Sequence, residues 1–226
     1  MQNKLSIIIP CLNEAEVVGR LLESLQPLRQ VGHEIIVVDG GSCDTTAQTA
    51  EPLVDCLLSS APGRAGQMNA GAAVANGTIL WFLHADTELP VGASEAVIDG
   101  VASGGAVWGR FDVRLSGQHP LLRMVAFMMN LRSRWTAVAT GDQAIFVRRD
   151  IFEGAGGFPD VPLMEDIVLS KRLKKVDKPL CLQLRLVTSS RRWEARGIFR
   201  TILLMWWLRL AFVLGISPKQ LARWYL

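Results

Sequence analysis

Cysteine and charge are both scarce in this chain of 226 residues. Its 4 Cys (Cys11, Cys43, Cys56, Cys181) form no C-x-x-C pair and share no metal-type spacing with the 3 His (His33, His84, His119). A disulfide-stapled scaffold is excluded at this length, and reduced thiols in a cytosolic protein are expected. Charged residues are only 20%, while apolar residues and Gly together reach about 59% and mean hydropathy is +0.25. That balance excludes intrinsic disorder. Long hydrophobic runs are missing too. The longest, residues 201–216, is interrupted by Arg209 and falls short of the roughly 20 residues a membrane span needs, although a helix lying in the interface stays open. Residues 5–9 are too short for the apolar region of a signal peptide, so none is expected. No G-x-G-x-x-G follows the first strand pattern, and no G-x-x-x-x-G-K-[ST] or G-x-S-x-G is found. These absences argue against a dinucleotide site, a P-loop and a serine nucleophile elbow.

What is present is unevenly spread. The net charge of +3 is too small to suggest nucleic acid, and it hides a split. From Arg185 onward there are seven Arg and one Lys against Glu194, a net of +7, while the first 184 residues carry a net of −4. Trp193, Trp206, Trp207 and Trp224 fall in the same basic stretch.

Along the first half, strand and helix patterns alternate. Short β-branched runs at 5–9, 34–38, 54–58 and 78–83 read as buried parallel strands. Between them lie a helix from Asn13 or Glu14 that Pro27 should stop, a short helix at 45–50 capped by Asp44, and a small-residue helix at 64–75 able to approach the sheet closely. The second half predicts strands at 104–115, 144–148 and 180–187, and helices at 121–130, 165–176 and 198–214. The pattern implies an α/β fold with a mostly parallel sheet and right-handed crossovers.

In such sheets ligands bind at the carboxyl ends of the strands. Those ends carry Pro10-Cys11-Leu12-Asn13-Glu14, Asp39-Gly40-Gly41-Ser42 and His84-Ala85-Asp86. Any one cluster reads equally well as caps and turns, but three on one edge point to a ligand site. Asp39 suits a base or ribose, and Asp86 suits a hard cation shared with phosphates.

Residues 6–14, Asp39-Gly40-Gly41-Ser42-Cys43-Asp44 and Asn69-Ala70-Gly71 resemble the nucleotide half of family 2 glycosyltransferases of the GT-A (nucleotide-diphospho-sugar transferase) fold. His84-Ala85-Asp86 lies where that family has D-x-D. Gly141-Asp142-Gln143 and Glu165-Asp166 look like its acceptor-side motifs, and Ser190-Arg191-Arg192-Trp193 is similar to its Q-x-x-R-W region. Residues 62–69 and the His-Ala-Asp triplet look most like a bacterial subgroup labelled arsenosugar-biosynthesis type.

The resemblance implies an inverting, metal-dependent transfer from a nucleotide diphosphate sugar, UDP-linked by preference. Its fold would be a Rossmann-like, mostly parallel sheet with a C-terminal helical appendage. Residues 1–90 would bind the nucleotide sugar and 91–190 the acceptor, with 191–226 as the basic, Trp-rich appendage. Pro10, Asn13, Glu14, Asp39, Gly41, Arg64, Asn69, Arg191 and Arg192 would hold the donor. Asp86, with His84, would bind Mg²⁺ or Mn²⁺. Asp166 would be the general base, its pKa raised by Glu165, and Asp142, Gln143, Glu165 and Trp193 would face the acceptor. The missing Gln of Q-x-x-R-W argues against processivity.

Several residues keep two readings. Glu165 and Asp166 would also serve as first-turn acids of a helix, and Met124, Met128 and Met129 read as packing. Arg192, Arg196 and Arg200 recur every four residues, with Arg209 nearly opposite. The tail therefore fits either a helix packed on the body or attachment to the inner face of a membrane, where the acceptor could be lipid-linked. A sugar-phosphate nucleotidyltransferase and a non-catalytic, membrane-associated sugar-nucleotide-binding protein are the alternatives.

Overall fold

The structure is a computed structural model and is described for residues 4–225, the Arg192 side chain excepted. Its seven strands are β1 (Leu5–Cys11), β2 (Glu34–Asp39), β3 (Cys56–Ser59), β4 (Ile79–Phe82), β5 (Trp108–Leu115), β6 (Phe146–Arg148) and β7 (Leu180–Thr188). They form one sheet in the order β3-β2-β1-β4-β6-β5-β7. Only β6 runs against its neighbours. Every strand expected from the sequence is present.

Both faces of the sheet are buried, and the alternation of side chains divides them. Ile7, Ile9, Ile35, Val37 and Trp81 join one core with the apolar stripe of α1 (Ala15–Gln30). Ile8, Ile36, Val38, Leu80 and Phe82 join the other. That second core also takes residues of α3 (Arg64–Val74), reached after α2 (Thr46–Ala50), and of α6 (Arg149–Gly154) and α7 (Glu165–Leu173). Two-residue periodicity inside a continuous apolar run is what a strand covered on both sides requires. α4 (Ala93–Ala102) and α5 (Pro120–Thr136) lie between β4 and β6 in sequence. Gly71 lets α3 sit close: a Cβ there would lie 2.6 Å from Ile8 Cγ2 and 3.1 Å from Val38 Cγ2.

Three expectations are corrected. α1 does not stop at Pro27 but runs on to Gln30, because its last turn is tied down from outside. Arg29 donates to Asp55 Oδ1 at 2.8 Å and to the Val54 carbonyl at 2.7 Å, and Leu28 packs on the core. The C-terminal segment is three helices, α8 (Arg191–Arg196), α9 (Ile198–Val213) and α10 (Pro218–Tyr225). Gly197, at φ 85°, separates α8 from α9, so residues 192, 196 and 200 do not share one continuous helix face. Of the three methionines expected to pack, Met129 is buried while Met124 and Met128 are exposed.

Candidate active site

All strands but β6 end at one edge of the sheet, and the loop entering the antiparallel β6 reaches that edge as well. The site is built there. On one side of it the β2 loop is fixed by Asp39, whose carboxylate accepts from Gly41 N (3.1 Å), Ser42 N (2.9 Å) and Ser42 Oγ. The β1 loop is tied to it by Asn13, which accepts from Cys43 N at 2.9 Å while its own N–H donates to Ser42 Oγ at 2.8 Å. Asn13 has φ 56°, a left-handed conformation that Asn tolerates better than most residues. Asp44 receives N–H groups from Ala15 and Thr46, at the starts of α1 and α2. Burial raises the Cys11 thiol, and Glu14, Asp39 and Asp44 push it further, so this loop pair presents a negative field.

Asp86 follows β4. Its carboxylate has no hydrogen-bond or ion-pair partner among the described residues, and it is half-buried. No group of three or more His, Cys, Asp and Glu among the described residues could hold a metal by itself. A single free carboxylate nevertheless fits Mg²⁺ or Mn²⁺, which accept one or two protein carboxylates when phosphate oxygens complete the shell. His84, expected beside Asp86, lies against the 141–142 loop. Its Nδ1 lies 3.3 Å from Asp142 Oδ1, and its ring covers Gly141 so closely that a Cβ there would meet Nε2 at 2.6 Å.

The opposite side of the site is carried by α7 and by the 3₁₀ turn Gly141–Gln143. Asp166 joins them: its Oδ2 accepts from Gly141 N at 2.8 Å and its Oδ1 from Ile167 N at 2.6 Å. Met164, immediately before α7, has φ 69°, a strained conformation for a non-glycine residue at a site. A narrow pocket lined by His84, Gly141, Glu165 and Asp166 over Met68 and Phe82 lies between the two sides. A more open groove beside Asp150, Ala155, Arg172 and Lys175 contains none of these residues.

The electrostatics are tight. Burial works to raise Asp142, but the His84 contact and then the Arg64 and Arg209 charges outweigh it and hold the carboxyl at about 2. Burial first and Asp166 second push Glu165 upward. Glu165 is itself buried. Arg64 lies among these acids; burial would lower it, yet Glu165, Asp142 and Asp166 carry it upward.

Three residues with expected ligand roles are engaged elsewhere. Asn69 staples the chain at Phe158, donating to its carbonyl (2.8 Å) and accepting from its N–H (2.9 Å). Gln143 is fully buried, accepting from Thr140 N at 3.2 Å and donating to the Phe111 carbonyl, so it builds the loop. Trp193 packs against the cluster of Val113, Leu122 and Met129. Arg191 lies beside the β1 loop and the start of α1, 3.2 Å from Glu14 and 3.5 Å from Glu16. The side chain of Arg192 lies outside the described residues. Pro10 is buried within β1, and Gly41, at φ 86°, makes the turn that Asp39 fixes.

Sequence reasoning missed Gln67 and Arg209. Gln67 Nε2 donates to the carbonyls of Cys11 and Val38, both at 2.8 Å, holding the ends of β1 and β2 together beneath the site. Its signal was a buried-side amide in a small-residue helix, two residues before Asn69. Arg209 is felt by Asp142 and Asp166; its signal was the one charge in the apolar run.

A Rossmann-like sheet with a carboxylate-lined edge of this kind is the GT-A fold of nucleotide-sugar transferases. Residues 6–154 match the family described as Glycosyl transferase family 2, and the chain belongs to that family. The probable glycosyltransferase YdaM of Bacillus subtilis (strain 168) is 27% identical over 194 residues, 75% of this chain and 46% of that protein. S. aureus TarS 1-349, solved with UDP-GlcNAc, superposes with a TM-score of 0.66 at 17% identity, over 82% of this chain and 58% of that one. Mannosyltransferase PcManGT from Pyrobaculum calidifontis, solved with GDP-Man and Mn²⁺, gives 0.65 at 21% identity, over 98% and 68%. The chain spans less than half the length of the curated relatives it matches.

Proposed function

We propose that this chain transfers one sugar from a nucleotide diphosphate sugar to an acceptor hydroxyl, with inversion and without processivity. The observation that carries the reading is the meeting of the Asp39 loop, the free Asp86 carboxylate and Asp166 at one sheet edge. In the reaction the acceptor oxygen forms a bond to the anomeric carbon as the bond to the diphosphate oxygen breaks, and the hydroxyl proton passes to Asp166. One displacement with no protein nucleophile inverts the centre. The N–H groups of Gly141 and Ile167 aim the Asp166 carboxylate. A divalent ion held by Asp86 and the phosphates would offset charge on the leaving group, and Arg191 would support the diphosphate.

The donor half is assigned to residues 1–90, the acceptor half to 91–190 and the appendage to 191–226. The UDP-GlcNAc of TarS and the GDP-Man and Mn²⁺ of PcManGT support the donor class and the ion. The segment 62–69 supports the arsenosugar-type subgroup.

The appendage is assigned to the inner face of an anionic membrane. No helix among the described residues is long and apolar enough to cross a membrane. Yet α9 turns Phe199, Leu203, Trp206 and Val213 outward, each more than half exposed, and α5, packed beside it, exposes Phe127 and Trp135. Exposed Arg200 and Arg223 accompany them. Apolar and Trp side chains edged by Arg suit a negatively charged headgroup layer.

Replacing Asp166 by Asn tests the reaction. Turnover should fall by about 10²–10⁴-fold, while calorimetry should show UDP–Mn²⁺ affinity within about twofold of wild type; normal turnover would remove Asp166 as the base.

A further inference from the structure

We infer that Arg132 on α5 and Arg209 on α9 form an acceptor-side receptor for a phosphate-type anion, carried by the acceptor molecule beside the hydroxyl that reacts. The inference rests on the transfer reading above. Of the Arg132 guanidinium nitrogens, Nη1 donates to the Val138 carbonyl at 3.2 Å, but Nε and Nη2 are buried with no partner among the described residues. Buried donors left unmade cost free energy, so such a group in a native site usually awaits a ligand or water.

Arg209 is brought to the same place by packing. Its neighbours Leu208 and Ala211 are buried against Val138 and against Met164 and Ile167, the last two close to Asp166 in the chain. Lys171 of α7 lies 4.9 Å over the Phe212 ring and adds a second tie. α9 is thereby held across this side of the site, with Arg209 half-buried while its other arginine, Arg200, stays exposed.

The two guanidiniums repel one another. Burial first, then the neighbouring Arg209, depresses Arg132 to about 10. Neither Arg132 nor Arg209 approaches a carboxylate within ion-pair distance among the described residues, although both sense Asp166. An anion between them would relieve the repulsion and take the idle donors. Two guanidinium forks offer the bidentate geometry that a phosphate accepts. The acceptor, rather than the donor, is indicated because the donor loop already has its own Arg191, beside Glu14. Arg132 and Arg209 hang instead from helices that follow residue 120 and face the base.

The full chain is first saturated with UDP and Mn²⁺, then titrated with inorganic phosphate and with glycerol phosphate while thermal stability and heat are followed. In parallel, phosphatidylcholine vesicles with and without phosphatidic acid are tested by flotation. Phosphate should bind in addition to UDP–Mn²⁺, and Arg209→Gln and Arg132→Lys should each weaken it by about tenfold or more with UDP–Mn²⁺ affinity kept within about twofold. Arg132→Lys retains the charge without the fork, so it stays informative where a neutral variant would not fold. A response to the soluble phosphates identifies a soluble acceptor, and an arginine-dependent preference for phosphatidic acid vesicles identifies a lipid phosphate; either supports the receptor. Displacement of UDP by phosphate, phosphate affinity unchanged in both variants, or no response to any phosphate would overturn it. Failure of UDP–Mn²⁺ to bind the wild-type chain would instead strike the transfer reading, so the two failures are distinguishable.

Discussion

Gly71→Ala is a sharp test of how α3 is seated on the β1–β2 part of the sheet. The added Cβ would lie 2.6 Å from Ile8 Cγ2 and 3.1 Å from Val38 Cγ2, where ordinary contact begins above 3.4 Å. Both neighbours are fully buried in the sheet and have nowhere to turn. The helix must lift by roughly 1 Å, and overpacking of this kind costs about 1–3 kcal/mol. Alanine returns about 0.8–1 kcal/mol of helix propensity, which leaves a net loss of about 1–2 kcal/mol with the cost in the upper part of its range. For a domain of this size that is about 2–8 °C in Tm. The lift also carries Gln67 away from the Cys11 and Val38 carbonyls, and Arg64 away from the acids, so UDP–Mn²⁺ affinity should fall as well. Gly66→Ala supplies the control. It lies on the same helix, with open space around its Cβ position, and should raise Tm slightly through propensity alone. Calorimetry on the pair decides the matter: a Gly71→Ala protein as stable as Gly66→Ala would refute the close-approach argument.

Two further outcomes follow from the charges. The Glu165 carboxyl is harder to ionise folded than unfolded, so its ionisation opposes folding above the unfolded pKa and ceases to do so below it. Glu165→Gln should therefore raise Tm at pH 7, with the advantage shrinking as pH falls toward 4; an advantage that grows on acidification would reverse the sign. Asp112 accepts from fully buried Arg110 and from Arg134. Asp112→Ala leaves a buried guanidinium uncompensated and should cost about 3–5 kcal/mol in urea denaturation, whereas a loss under about 1 kcal/mol would mean that the pair contributes as little as a surface one.

The sheet was legible because its strands are apolar runs buried on both faces and bounded by Pro, Gly and Asp, a local signal that survives without tertiary context. Pro27 misled because the ties that carry α1 past it come from Val54 and Asp55, more than twenty residues away. Gly197 was overlooked because a four-residue recurrence of arginines says nothing about the backbone between them. At the site, the loop carboxylates could be read from strand ends, but side-chain direction could not. Asn69 and Gln143 match a motif, yet each bonds to backbone within the protein. His84 joins Asp142 because the antiparallel β6 brings residue 141 against β4. Arg209 required knowing which face of α9 is buried.

The sheet order also governs when each part of the molecule can form. β1 to β4 pair among themselves once about the first 82 residues are available, whereas β5 closes against β7, with Gly109 opposite Leu180. Ribosomes add about 5–20 residues per second, so one edge of β5, bearing Trp108 and Phe111, waits several seconds for its partner during synthesis. Non-local pairing of this kind slows folding and leaves an apolar strand open to other chains. Aggregation of truncated or slowly translated chains should therefore begin at the β5 edge, while the β1–β4 half of the sheet already holds its shape.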